Sequence, residues 1–559
     1  MRCASFGLAI VALALASTFS PTARAADEAT WKLVAVQLND QELFLIKTKS
    51  ENGKATAEVA KTAIPQLGDV KVTAFEHKGE NVTLTLDLQG GTTFKGTVAK
   101  DGKIYGTLKL PNAVMAARLE KADDFTKSPA QPAFFAKFMA AMQNRNANPK
   151  EVVAKLADIL KDADSAAYGV VFSQVLNIAP LADLPADEVK GYVEKWLAIS
   201  KPHGIELVND VRIQAVKALG TKPTYAPLAF DLSVEAEKAL TADSSLDQQA
   251  EILGILARSA KTVGKADIAK SAEARVATIE AKLDGEYHEK VPPFKPAAFA
   301  SRANKKADKV VLMELFTGAQ CPPCVAADVG FDALLTSFKP TEFIGLQYHL
   351  HIPGPDPLTN TDSESRANYY KESVGGTPST FFNGKSEAGG GGGMANAESK
   401  FGEYKELIEK ILGETKNASI DLSATRDGDA IKINAKAVTD SKTKESKPFL
   451  RLVLVEDAVK YTGGNKLRFH HHVVRSFPGG ADGIKLVAGE AKQSLTVNLA
   501  DVRKAQEEYL SDFEKKGRSF PNVLPPIKLE GLSIVAFIQD DADKSILHAV
   551  TVPVTEAKP

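Results

Sequence analysis

Hydrophobic and polar positions change their spacing several times along the 559 residues. In the first hundred or so they alternate. Asp69–Glu76 and Asn81–Leu88 place apolar side chains at every second position, with Val82, Leu84, Leu86 and Leu88 on one face, as half-buried strands do. Asp101-Gly102 is a hairpin signal between Thr92–Val98 and Lys103–Leu110. A small antiparallel sheet or sandwich is predicted over 26–125. Over 126–287 the period becomes helical. Val152, Val153, Leu156, Ile159 and Leu160 share one stripe, Val189, Val193, Trp196 and Leu197 another, and Ile205, Val208, Val211, Ile213, Val216 and Leu219 a third. Pro149, Pro185 and Gly220 fall where such helices start or stop.

Paired helices stacked as a small solenoid or bundle follow from that spacing. Gly264–Tyr287 resembles the second half of a tetratricopeptide-type hairpin. Trp196 with Phe134, Phe135 and Phe138 reads as core, with a peptide groove as the alternative. Residues 288–307 read as a linker stiffened by Pro292, Pro293 and Pro296. The apolar run Val310–Met313 is then a strand that leads into a helix. Residues 416–559 are β-rich again, with Arg451–Val455 and Leu532–Ile538 as buried strands and Asp501–Lys516 as a helical excursion. The expected fold is multidomain α+β: an N-terminal antiparallel β domain, an α-helical domain, an α/β domain over 308–415 and a C-terminal β-sandwich.

Residues 1–25 read as a secretory leader, with Arg2 before the apolar Leu8–Ala16 and Ala23-Arg24-Ala25 as the cleavage site. The expected location is periplasmic or secreted. Losing Arg2 and Arg24 takes the net charge from −1 to −3, so no basic field points to nucleic acid. No later apolar run is long enough to span a bilayer. Cys3 leaves with the leader, and two cysteines remain, which excludes a disulfide-stapled scaffold.

Those two are Cys321-Pro322-Pro323-Cys324. A cysteine at a helix N-terminus has its thiolate stabilised by unpaired N–H groups and the helix dipole. Pro322 and Pro323 remove two amide donors, but their fixed φ suits a helix start. Cys321 is assigned as the nucleophile that forms mixed disulfides, and Cys324 as the resolving thiol.

With Val310–Phe316 before the motif, Thr341–Leu350 as the next strand and Gly375-Gly376-Thr377-Pro378 followed by Ser379–Gly384, residues 308–413 resemble the thioredoxin fold of extracytoplasmic thiol–disulfide oxidoreductases. The resemblance implies that Pro378 is cis against the cysteine pair, and that Thr377 offers backbone atoms to an extended substrate. Pro322 and Pro323 join that substrate surface. It also implies a strand acid that shuttles a proton for the resolving cysteine. Glu314 is the candidate, although it stands seven residues before Cys321 where the family usually has six. Gln320 replaces the family's common tryptophan, and Pro322-Pro323 its Gly-Pro.

The loop His349–Asp362 resembles one in secreted thioredoxin-like proteins with an attached β-sandwich. His349 and His351 are candidates for a base or a metal ligand. Gly389–Gly393 reads as a flexible loop rather than a phosphate cradle. His470-His471-His472 alternates faces on a strand, so it lacks the ligands of a metal site. The function expected is thiol–disulfide exchange with protein substrates and a redox partner protein, without a cofactor. The alternatives are a carrier holding Cu(I) on the two thiolates, or a scaffold with a permanent disulfide.

Overall fold

A computed structural model describes residues 27–51, 54–65, 69–88, 91–110, 113–127, 131–143, 148–220, 222–240, 244–440, 445–515, 520 and 524–557. The expected leader over 1–25 lies outside the described residues. The protein is a multidomain α+β chain that divides into two compact units, 1–279 and 280–559.

In the first unit, the alternating stretches become strands β1 (Asp27–Ala35), β2 (Gln41–Glu51), β3 (Lys54–Thr62), β4 (Val72–Lys78), β5 (Asn81–Leu86), β6 (Thr92–Val98), β7 (Ile104–Leu110) and β8 (Ala113–Lys121). They form one eight-stranded sheet in the order β3-β2-β1-β8-β7-β6-β5-β4, antiparallel throughout. Val82, Leu84, Leu86 and Phe94 are buried on one face. Gly102 turns the β6–β7 hairpin at φ +79°, which a Cβ would strain.

The helical stretches become α1 (Ala133–Met142), α2 (Pro149–Leu160), α3 (Gly169–Ala182), α4 (Ala186–Ser200), α5 (Ile205–Leu219), α6 (Ala226–Lys238), α7 (Leu246–Thr262) and α8 (Ala266–Lys290), within which the division between units falls. All five apolar positions of the α2 stripe are buried. Asn148 caps that helix through its side chain, with Pro149 at its first position. Phe134, Phe138 and Trp196 lie in the core, and Phe172 stacks on Trp196 with ring centroids 6.1 Å apart. The aromatic cluster is therefore packing rather than a groove. Ile205 departs from its stripe and is 65% exposed, because it is the first residue of α5.

In the second unit the elements are β9 (Val311–Thr317), α9 (Val325–Ser337), β10 (Phe343–His349), α10 (Thr361–Tyr369), β11 (Ser379–Phe382), β12 (Lys385–Ala388), α11 (Ala397–Ile411), β13 (Ala418–Asp427), β14 (Ala430–Thr439), β15 (Pro448–Lys460), β16 (Phe469–Ser476), β17 (Ile484–Lys485), β18 (Glu490–Asn498), α12 (Leu499–Lys515), β19 (Leu532–Asp540), β20 (Ile546–Pro553) and β21 (Thr555–Glu556). Nine strands form one sheet, β12-β11-β9-β10-β16-β15-β19-β20, with β17 on β15. The strands after residue 416 thus extend the sheet that carries the cysteine motif. The join is β10 against β16, parallel, through the pair Gln347–Val473. A four-stranded sheet, β18-β14-β13-β21, packs Ile420, Ile431 and Ile433 against Leu450, Leu452, Leu454 and Ile534. Two sheets are thus layered in this region, and one of them is the sheet that carries the cysteine motif.

Strand alternation sorts the side chains of β9. Met313 and Leu315 pack with Phe331, Leu334, Tyr404 and Ile408 of α9 and α11. Leu312 and Phe316 pack on the other face with Tyr370 and with Val453, Val535 and Phe537. Each such fully buried side chain contributes roughly 1.5–3 kcal/mol. The stretch 288–307, expected as a linker, is docked. Phe294 meets Phe401 at 5.4 Å and Phe299 meets Phe338 at 5.1 Å, and Arg302 donates to the carbonyls of Leu412 and Thr341. No helix among the described residues is long and apolar enough to cross a membrane.

Candidate functional site

Cys321 and Cys324 form a disulfide, with Cα atoms 5.3 Å apart. Cys321 is extended at φ −102° and ψ 100°. It precedes a single 3-10 turn, Pro322–Cys324, that runs into α9. The prolines occupy the first-turn positions, where a missing N–H costs nothing. Both are exposed, whereas Cys321 is 1% and Cys324 0% exposed. The peptide Thr377–Pro378 is cis. Thr377 Oγ1 lies 3.3 Å from Cys321 Sγ and 3.1 Å from the carbonyl oxygen of Ile352, and its carbonyl oxygen lies 3.5 Å from that sulfur. The one hydroxyl proton serves sulfur or carbonyl, not both at once.

Three segments pack against the residues around the motif. The first is the glycine run. Gly392 N–H donates to the carbonyl of Pro323 at 2.6 Å, and Ala326 N–H donates back to the carbonyl of Gly392 at 2.9 Å. A Cβ on Gly391 would collide with the Pro323 carbonyl and with the Pro378 ring. The run expected as a flexible loop is a strap laid across the motif, and glycine is what lets it approach so closely. The second is the turn after β15. Gly464 N–H donates to Gln320 Oε1 at 3.0 Å, and Gln320 Nε2 donates to Tyr461 Oη at 3.3 Å. The third is the loop at cis Ile352–Pro353.

Beneath the motif lies a buried polar group. Asp356 Oδ2 accepts from Ala319 N–H at 2.6 Å and from His349 Nδ1 at 2.8 Å, and Oδ1 accepts from Leu358 N–H at 2.8 Å. Burial pushes the Asp356 carboxyl up, but His349 and these amides outweigh it and hold it below the usual range. The carboxylate therefore pins the turn that leads into Cys321. His349 Nε2 has no hydrogen-bond partner among the described residues. The His349 ring meets His470 edge-on at 4.8 Å, and burial pulls His470 down to about 3. Asp328, one helical turn after Cys324 and on its side of α9, accepts from Thr317 Oγ1 at 3.0 Å. Its Oδ1 has no hydrogen-bond partner among the described residues, and burial holds its carboxyl well above the usual range.

Glu314 stands on the Leu312–Phe316 face of β9, away from α9. It accepts from Arg366 Nε at 2.7 Å and Nη2 at 2.9 Å, and from Tyr370 Oη at 2.9 Å. Arg366 Nη2 also donates to Gln539 Oε1 of β19 at 2.9 Å. Arg366 Nη1 has no hydrogen-bond partner among the described residues, but the guanidinium lies 4.7, 4.8 and 5.3 Å from the ring centroids of Tyr369, Tyr370 and Phe537.

The structure thus brings together Cys321, Cys324, Pro322, Pro323, Thr377 and Pro378, and sets His349 beneath them. His351 turns away: its Nδ1 accepts from Asp356 N–H at 2.9 Å, and its Nε2 meets Tyr509 Oη at 3.0 Å. The three adjacent histidines go to different places. His470 Nε2 meets the carbonyl of Tyr461, His471 Nδ1 lies 2.9 Å from Asp332, and His472 meets the carbonyl of Gly345. Among the described residues no three acidic, histidine or cysteine side chains converge as a metal site.

No family model matches the chain, and no curated protein does. Among solved structures it is similar to HBP35 of Porphyromonas gingivalis, at 14% identity and TM-score 0.30, over 46% of this chain and 82% of that one. It is also similar to a domain of the outer membrane lipoprotein Omp28 from the same organism, at 24% identity and TM-score 0.17, over 26% and 92%. Likenesses this weak carry no argument, so the functional reading rests on the site.

Asp328, Arg366 and Gln539 were not singled out from the sequence. Asp328 had a signal: it is an acid one turn after Cys324 in the apolar run Val325–Leu335. Gln539 had none, because its partners are remote in the chain.

Proposed function

We propose that the second unit is an extracytoplasmic, thioredoxin-like thiol–disulfide oxidoreductase acting on protein substrates. The observation that carries this reading is a disulfide at the start of α9 whose first sulfur touches the residue before a cis proline. In the reducing direction, the Cys321 thiolate attacks one sulfur of a substrate disulfide and the other leaves as a thiolate. Cys324, losing its proton, attacks Cys321 Sγ and expels the second substrate thiolate. Two electrons pass to the substrate, and the cysteine pair becomes the disulfide. The oxidising direction is the reverse.

We assign the Cys324 proton to Asp328. Glu314, the acid implied by the family resemblance, would have to leave Arg366 and Tyr370 to take it. Thr377 and Pro378 line the path of the substrate chain, with Pro322 and Pro323 as its exposed border. The leader-like residues 1–25 favour a location outside the cytoplasm.

One observation favours the competing scaffold reading: both cysteines are at most 1% exposed, as a permanent disulfide would be. A redox titration separates the two. The protein is equilibrated in graded dithiothreitol ratios and free thiols are trapped by a mass tag, with Cys321→Ser alongside. A reversible couple within about −270 to −120 mV is expected, and Cys321→Ser should lose it. A couple below about −300 mV, or none, rejects exchange.

A further inference from the structure

Beside the motif, the loop after β10, helix α10 and helix α12 enclose an open groove of about 1040 Å3. That is at the upper end of small-molecule pockets, which run to about 1,000 Å3, and it leaves room for a short stretch of polypeptide. Its apolar surface includes Ile352, which is 39% exposed, with Val374 and Phe513. Among the described residues, its rim carries three exposed carboxylates, Glu364, Glu508 and Asp512, against one ammonium, Lys371. His351 adds no charge as a neutral ring. Its Nδ1 accepts the Asp356 amide proton, so Nε2 holds the ring proton and donates it to Tyr509 Oη. Among the described residues, Glu508 and Asp512 pair with Lys504 and Lys515 on their own helix, in exposed contacts that are weak and yield to a ligand.

The groove is joined to the sulfur. The Ile352 carbonyl on its edge is 3.1 Å from Thr377 Oγ1, which is 3.3 Å from Cys321 Sγ. On the other side, the Asp356 amide that meets His351 belongs to the residue whose carboxylate fixes Ala319.

We propose that this groove binds an extended polypeptide segment that carries lysine or arginine among apolar side chains, and so presents a neighbouring disulfide of that polypeptide to Cys321. The proposal rests on the exchange reading for its purpose, but its binding step needs no cysteine chemistry.

The test uses the full chain and a fluorescent, cysteine-free peptide of about nine residues with alternating Lys and Leu, beside its Glu and Leu counterpart. Anisotropy is read with wild type, with Cys321→Ser and with the exposed double reversal Glu508→Lys/Asp512→Lys, whose folding is checked by thermal melting. Wild type and Cys321→Ser should bind the basic peptide alike. Binding should weaken about tenfold or more in the double reversal and in about 0.5 M salt, and the acidic peptide should bind at least tenfold more weakly. Equal binding of the two peptides, no binding of either, or no effect of the folded double reversal overturns the proposal. Binding in a protein whose cysteines show no redox couple removes the exchange reading and leaves the groove.

Discussion

Strand β9 divides two buried polar clusters, and they are built on opposite principles. On its Leu312–Phe316 face, Glu314 is held by two Arg366 nitrogens and by Tyr370, and Gln539 ties the group to β19. Every oxygen of the carboxylate is used. On the side of the cysteines, Asp328 Oδ1, His349 Nε2 and His470 Nδ1 are buried without a hydrogen-bond partner among the described residues. A carboxylate held on both oxygens keeps its geometry, while an unpaired buried carboxyl oxygen or ring nitrogen is costly. Under the proposed function, the first cluster would serve architecture and the second proton handling.

The largest effect should come from breaking the Glu314–Arg366 pair. Arg366→Ala leaves Glu314 buried and uncompensated, and should cost about 3–5 kcal/mol in urea unfolding. Glu314→Gln/Arg366→Met should recover much of it. A loss below about 1 kcal/mol for the single variant would end the architectural assignment.

Asp328→Asn comes next. Exchange at neutral pH should slow about 100-fold, within the range for a lost acid–base group. The sign of its stability effect is set by burial. A carboxyl whose folded pKa is raised stabilises fully below its unfolded value, about 3.9, and that contribution is lost as pH rises through the folded pKa. Asparagine has nothing to lose, so the melting temperature of the variant should gain on wild type as pH rises. A pH-independent difference, with unchanged exchange, would place Asp328 with the passive groups.

The smallest expected effect is that of Gly391→Ala. Its collision with Pro323 and Pro378 should cost about 1–3 kcal/mol and lift the strap. Reduction of the disulfide by dithiothreitol should then be faster than in wild type. Unchanged reduction would mean that the strap does not control access.

Local features were legible, and long-range ones were not. Alternation in Asn81–Leu88 and the stripe of α2 placed their side chains correctly, because period and burial are set within one element. The motif, its helix and the Thr377–Pro378 loop were read from order and spacing. The same alternation held a clue to Glu314: a residue between Met313 and Leu315 points away from the face they share. The joining of β10 to β16 left no trace, since Gln347 and Val473 are paired only by tertiary structure. Five glycines in a row signal freedom in an isolated chain, yet here that freedom allows a close, hydrogen-bonded approach.

The shared nine-stranded sheet bears on how the cysteine segment can be handled. A fragment covering 308–415 would keep both cysteines, the cis proline and the strap. It would lose β16, and with it the neighbour that covers the backbone edge of β10. It would also lose β15 and β19, whose Val453, Val455, Val535 and Phe537 bury the Phe316 face. Such a fragment would present a bare, apolar strand edge to its own copies, a template for aggregation. The cysteine segment is therefore not an exchangeable cassette: any transplant to another protein has to carry its C-terminal strands with it.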